Sequence, residues 1–63
     1  MRAQVNNGIL KEYPDNAIIA IGECIGEDTY EIICDIPEDF QNEFFNYEAE
    51  IKEDKIIELN KIK

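Results

Sequence analysis

Residues 29–36 read T-Y-E-I-I-C-D-I, and no other stretch limits the fold so strongly. In an extended strand successive side chains point to opposite faces. Tyr30, Ile32, Cys34 and Ile36 then share one face, and Thr29, Glu31, Ile33 and Asp35 the other. The preceding stretch, residues 17–24, reads A-I-I-A-I-G-E-C. Here Ala17, Ile19 and Ile21 lie on one face, and Ile18, Ala20, Gly22 and Cys24 on the other. Both faces are apolar over most of the length. Such a strand is covered on its second face, either by another element of the same chain or by a second copy. Between the two strands, Ile25-Gly26-Glu27-Asp28 offers a turn with Gly26 at the first position of a type II′ hairpin. Closing the hairpin on Gly26-Glu27 sets Cys24 opposite Thr29, Ile21 opposite Ile32 and Ile19 opposite Cys34. The expected core is Ala17, Ile19, Ile21, Tyr30, Ile32, Cys34 and Ile36. In that register Cys24 faces away from Cys34, so no disulfide joins them. Both cysteines read as small buried hydrophobes.

The flanks follow from turn chemistry and a change of period. Asn6-Asn7-Gly8 is a tight-turn signal, because Asn and Gly tolerate positive φ. It is expected to join a strand at Arg2–Val5 to a second at Ile9–Tyr13, with Tyr13-Pro14-Asp15-Asn16 ending the ladder. Beyond Ile36 the spacing becomes helical: Phe40 and Phe44 are four apart, and Tyr47 is three further on. Pro37 suits a first helical turn, and Glu38 and Asp39 suit its positive end. A short helix is therefore predicted at about 37–45. Tyr47–Ile62 reads as a second hairpin. A three-residue loop, Glu53-Asp54-Lys55, places Ile51 opposite Ile57 and Ala49 opposite Leu59. A two-residue loop would put Glu58 opposite Ala49 and mix the faces. The fold class is mostly β with one short helix: a small antiparallel sheet of hairpins in a single domain, 1–63.

With 63 residues the core is marginal, and folds of this size usually gain support from a staple or a partner chain. The net charge is −9. Its distribution is uneven: residues 1–22 balance, residues 23–50 hold ten acids and no Lys or Arg, and residues 51–63 carry a net +1. A one-sign block repels nucleic acid and suits a basic protein partner, or else it is a solvated surface. His, Ser and Trp are absent, which removes the Ser-His-Asp and Cys-His catalytic sets. No cysteine spacing suits zinc, and no acidic stretch matches a calcium loop. No catalytic residue, metal or cofactor is expected, and no direct nucleic-acid binding. The N-terminal M-R-A-Q-V-N-N-G has no signal-peptide core, and no apolar run approaches membrane-spanning length. The expected location is the cytoplasm of a host cell, or a virion.

The order of signals resembles small modules encoded by phages and prophages of low-GC Gram-positive bacteria. Such modules occur as short standalone proteins of unassigned role and as pieces of tail or tail-fibre proteins. The features that carry the resemblance are N-N-G-I-L, E-Y-P-D-N-A-I-I-A-I, the strand ending in D-I-P-E-D-F, N-E-F-F-N-Y, and the closing I-K-E-D-K-I-I-E-L. They span most of the chain. One departure is the last turn, where such modules often have Asp-Gly and this chain has Glu53-Asp54-Lys55. The resemblance implies a non-enzymatic interaction protein, associated with the virion or tail and oligomeric. Ile18, Ala20 and Ile33 form the candidate self-association face. The acidic candidates are Glu23, Glu27, Asp28, Glu31, Asp35, Glu38, Asp39 and Glu43. They keep open a rival reading: a small acidic phage-encoded inhibitor of a host-defence or nucleic-acid-binding enzyme, including a DNA mimic.

Overall fold

The structure, a computed structural model, describes residues 1–62. Among them are five strands: β1 (Arg2–Val5), β2 (Ile18–Gly22), β3 (Thr29–Ile32), β4 (Tyr47–Lys52) and β5 (Lys55–Lys61). A short helix, α1 (Phe40–Glu43), runs into a 3-10 turn, Phe44–Asn46, before β4. The fold is mostly β, as the alternating stretches predict.

The sheet is mixed rather than a set of antiparallel hairpins. Its order is β2-β1-β3-β5-β4, and β3 pairs with β5 in parallel. The expected β2–β3 hairpin does not form. β1 lies between them and pairs antiparallel with both, Ala3 standing opposite Ile21 on one side and Tyr30 on the other. β1 has apolar Ala3 and Val5 on one face and can use both of its edges, so it takes the central place that a local turn at Gly26 would have filled. The two outer strands also approach each other. Ala17 forms a bridge with Glu48, and the Ala49 N–H donates to Asn16 O at 2.8 Å. The sheet thus curls round its core until its edges meet at one point.

Core residues come from every strand: Ala3, Val5, Ile18, Ile32, Tyr47, Ala49 and Ile56, together with Phe40 of α1. Phe40 is fully buried and meets Tyr47 edge-on at a ring separation of 5.6 Å. The helical spacing holds for Phe40 and Phe44, in α1 and the 3-10 turn, but the helix opens at Phe40 and not at Pro37, and Tyr47 already begins β4. Ile21, Tyr30 and Cys34 pack against the core. Two other expected core residues do not reach it: Ile36 is exposed, and Ile19 is only half-buried. A bulge in the β1–β2 ladder explains Ile19, since the register passes from Ala20 opposite Gln4 straight to Ile18 opposite Val5. The extra residue turns Ile18 inward beside Ile21.

A second bulge sits in the closing hairpin. Its turn has two residues, Glu53 and Asp54, not three, and Lys52 stands opposite Lys55. The register then slips at Glu50/Ile51, so Ile51 faces Ile56, Glu50 faces Glu58, and Ala49 faces Leu59 as expected. The slip leaves Ile57 without a partner. It also removes the conflict that counts against a two-residue loop in a regular ladder.

Candidate interaction surface

The expected Ile9–Tyr13 strand does not exist. Residues 6–17 form one long connection from β1 to β2, and Asn6 organises it from inside. Asn6 is fully buried. Its backbone continues the ladder: its N–H donates to Ala17 O at 2.8 Å, and its carbonyl accepts from Asn16 N–H at 2.7 Å. Its side chain fills the loop. Nδ2 donates to the carbonyls of Leu10 (2.9 Å), Tyr13 (3.0 Å) and Pro14 (3.2 Å), and Oδ1 accepts from Leu10 N–H at 2.9 Å. One buried amide thus satisfies backbone groups that a loop would otherwise leave to water. Gly8 and Asn16 supply the positive φ that the path needs, at 81° and 70°.

This fixed loop exposes three large apolar side chains among polar neighbours that include Lys11, Glu12 and Asp15. Ile9 is 61% exposed, Tyr13 40% and Leu10 36%. They stand on backbone held by hydrogen bonds, so presenting them to a partner requires little further ordering. Reading Asn6-Asn7-Gly8 as a hairpin turn misses this surface. The available signal is the tendency of Asn to bond backbone groups a few residues onward, here with Pro14 closing the loop.

The connection between β2 and β3 is held differently. It passes from one side of β1 to the other, and Arg2 anchors it. Nε donates to Cys24 O at 2.8 Å, while Nη2 donates to both the carbonyl and Oγ1 of Thr29 at 3.2 Å. Thr29, itself buried, donates to Gly26 O at 2.7 Å. Ile25 projects from this connection and is 87% exposed. With Met1, Arg2, Gly22 and Glu23 it borders an open cavity of about 430 Å³.

Ile18, Ala20 and Ile33 do not make one face. Ile18 is fully buried in the core, which removes it from any surface. Ala20 is half-buried opposite Gln4. Ile33 is exposed just beyond β3, where its N–H donates to Ile56 O at 3.0 Å. The physical reason is the β1–β2 bulge, which moves Ile18 to the inner side.

The acidic block is also divided in space. Glu23 and Glu27 are exposed on the β2–β3 connection, and Asp28, half-buried there, accepts from Asn7 Nδ2 at 3.4 Å. Glu31 lies on β3 between Arg2 of β1 and Lys55 of β5, so cations from distant parts of the chain flank it. Asp35 and Glu38 are exposed before α1. Glu43 accepts from Asn46 Nδ2 at 3.1 Å. Asp39 does not cap α1 with its side chain. Its carboxylate accepts from Tyr47 Oη at 2.6 Å and from Lys61 Nζ at 2.8 Å. The hydrogen bond from Lys61, helped by that from Tyr47, holds the Asp39 carboxyl below its usual range. The same carboxylate raises Lys61 and Tyr47. Folding therefore brings Arg2, Lys55 and Lys61 beside two members of a run that has one sign in the sequence.

Cys24 and Cys34 are free thiols, and burial pushes the Cys34 thiol up. Among the described residues, no three His, Cys, Asp or Glu side chains come together as a metal site, and no helix is long and apolar enough to cross a membrane. No protein-family model matches the chain, and no curated protein or solved structure is significantly similar to it.

Proposed function

We propose that this protein is a non-enzymatic protein–protein interaction module of phage type, associated with the virion or tail. The observation that carries the interaction role is the β1–β2 connection: Ile9, Leu10 and Tyr13 exposed on a loop whose backbone is fixed by the buried Asn6. Exposed apolar side chains on a pre-ordered loop suit a partner with a matching apolar recess. The phage and tail association rests on the resemblance in D-I-P-E-D-F, N-E-F-F-N-Y and the flanking motifs.

A photo-crosslinking amino acid at Tyr13 tests the proposal in a lysate of phage-producing cells. The expected adduct is with a virion or tail protein, and Ile9→Asp with Leu10→Asp abolishes it. A crosslink to a host enzyme instead would overturn the tail association. No adduct at Tyr13 from a folded protein would overturn the loop as the surface.

The rival reading is an acidic inhibitor of a basic enzyme. Exposed Glu23, Glu27, Asp35 and Glu38 support it, while Arg2 and Lys55 beside Glu31, and Lys61 on Asp39, weaken it by breaking the acidic field. An inhibitor complex would weaken steeply with salt, whereas a complex through Ile9, Leu10 and Tyr13 would change little.

A further inference from the structure

We infer that the outer face of the β4–β5 hairpin is a self-association surface, on which two copies pack about a two-fold axis. The basis is an arrangement that sets like charges opposite each other within the hairpin. Lys52 stands directly opposite Lys55, and Glu50 directly opposite Glu58. Like charges opposite each other in an antiparallel ladder repel. All four side chains are exposed. Among the described residues the ion pair present joins Lys61 to Asp39; Lys55 has Glu31 of β3 opposite it on its other side, whereas Glu50 and Glu58 have no cation opposite them.

The two rows are neighbours of opposite sign. Glu50 and Lys52 are two residues apart on one strand, which is about 7 Å. A second copy, turned about a two-fold axis between the rows, sets its acidic row over the lysine row and its lysine row over the acidic row. Both repulsive pairs then meet opposite charge. A two-fold interface uses the same patch twice, and only a self-complementary pattern of this kind suits it. Charge complementarity selects a second copy over other occupants. A basic partner would meet Lys52 and Lys55, and a nucleic acid would meet Glu50 and Glu58. The four charges also balance, on a chain whose net charge is −9. The contact itself therefore adds no like-charge repulsion to that between the two acidic chains, which salt screens. Ile57, the half-buried extra residue of the bulge, lies in the chain between Lys55 and Glu58. The next row, Glu48 opposite Asn60, lies outside the pairing.

This surface replaces Ile18, Ala20 and Ile33 as the self-association face; Ile9, Leu10 and Tyr13 are not part of it, although the end of the same loop, Asp15 and Asn16, borders Glu48 and Glu50. Sedimentation and light scattering on three proteins test it. At about 0.1 M salt, where repulsion beyond about 10 Å is screened but pairs in contact are not, the unaltered chain should run at twice its 7.3 kDa mass. Raising salt to about 0.5 M should weaken the dimer tenfold or more. Lys52→Glu with Lys55→Glu gives two acidic rows, and Glu50→Lys with Glu58→Lys gives two basic rows. Each should be monomeric alone, and an equal mixture should form a heterodimer. Circular dichroism checks that both variants keep their strands. Should either fail to fold, the four-fold exchange, all four substitutions together, keeps the composition and should dimerise like the parent. A monomer at the lower salt, a dimer indifferent to salt, variants that dimerise alone, or folded variants that do not combine would each overturn the inference.

Discussion

The first three strands and the closing hairpin are built on different principles. β4 and β5 are neighbours in sequence as in space, joined by two residues and a backbone ladder with one bulge. β1, β2 and β3 are not ordered that way: the second and third strands flank the first, and their connections travel. Buried or half-buried polar side chains hold those connections in place, Asn6 in one and Arg2 with Thr29 in the other. Both buried polar residues among those described, Asn6 and Thr29, belong to this half. Where local pairing suffices, backbone and apolar burial hold the structure. Where the chain must cross or bulge outward, single side chains do so, and losing one leaves several backbone groups unpaired.

Asn6→Ala breaks the comparison most strongly if it is wrong. The substitution removes every side-chain bond to Leu10, Tyr13 and Pro14 and leaves the inward backbone groups of an otherwise exposed loop without the partner that the buried Asn6 provides. A loss of about 3 kcal/mol in urea unfolding is expected, since each unsatisfied buried group costs about 1–3 kcal/mol. Hydrogen exchange should speed up across residues 7–16 while the β4–β5 amides change less. A loss of well under 1 kcal/mol, or equal deprotection of the hairpin, would show that the loop does not depend on its buried amide.

Thr29→Val sharpens the same point with less disturbance, because volume is nearly kept while the hydroxyl is lost. Gly26 O loses its donor and Arg2 loses one acceptor. The expected cost is about 1.5 kcal/mol by denaturant midpoint, roughly half that of Asn6→Ala. A neutral result would place the weight of that connection on Arg2 alone, and Arg2→Met should then be the costlier change.

The same division decides what the sequence could reveal. The strand opening at Thr29, the short helix at Phe40 and the pairing of Ala49 with Leu59 reflect local periods and are legible in the sequence alone, although β3 stops at Ile32, short of Ile36, and Tyr47 already belongs to β4. Strand order is set by competition for the edges of β1, a contest between segments far apart in the chain, so a good local turn at Gly26 points to the wrong neighbour. The two bulges are invisible for a related reason. One extra residue at Ile19 or Ile57 reverses which side chains face inward, and only packing against the opposite strand selects it. The candidate surfaces inherit these errors. Ile18 leaves the self-association face through a bulge, and the acidic block loses its single sign because β1 and β5 bring Arg2 and Lys55 beside Glu31.

The hairpin can be improved where the N-terminal loop cannot. Glu53 and Asp54 both adopt left-handed backbone, with φ of 53° and 64°. That conformation is unfavourable for residues with a Cβ and free for glycine. Asp54→Gly should therefore stabilise the protein by about 1 kcal/mol in thermal or urea unfolding. A destabilised variant would mean that the Asp54 side chain contributes more to the turn than its backbone strain costs.

The smallest effect expected is a pH dependence at the contact between α1 and the hairpin, where the Lys61 amine and the Asp39 carboxylate remain partly exposed at 45% and 33%. Asp39 is lowered from its ordinary value of 3.8, chiefly by Lys61. A depressed acid contributes stability that is present above its unfolded value and lost as pH falls through its folded value. Its contribution should therefore fade below about pH 4. Lys61 and Tyr47 are raised, both chiefly by Asp39, so their contribution is present below their ordinary values of 10.5 and 10.0 and lost at higher pH. Asp39→Asn removes the charge that both depend on. It should flatten the fall in stability at the acid end and the alkaline end together, and salt should mimic it in part. A variant that keeps the full acid-side slope would assign that slope to the other carboxylates. The joint between α1 and the hairpin would then rest on the packing of Phe40 against Tyr47 of β4, as the rest of the hairpin rests on its ladder.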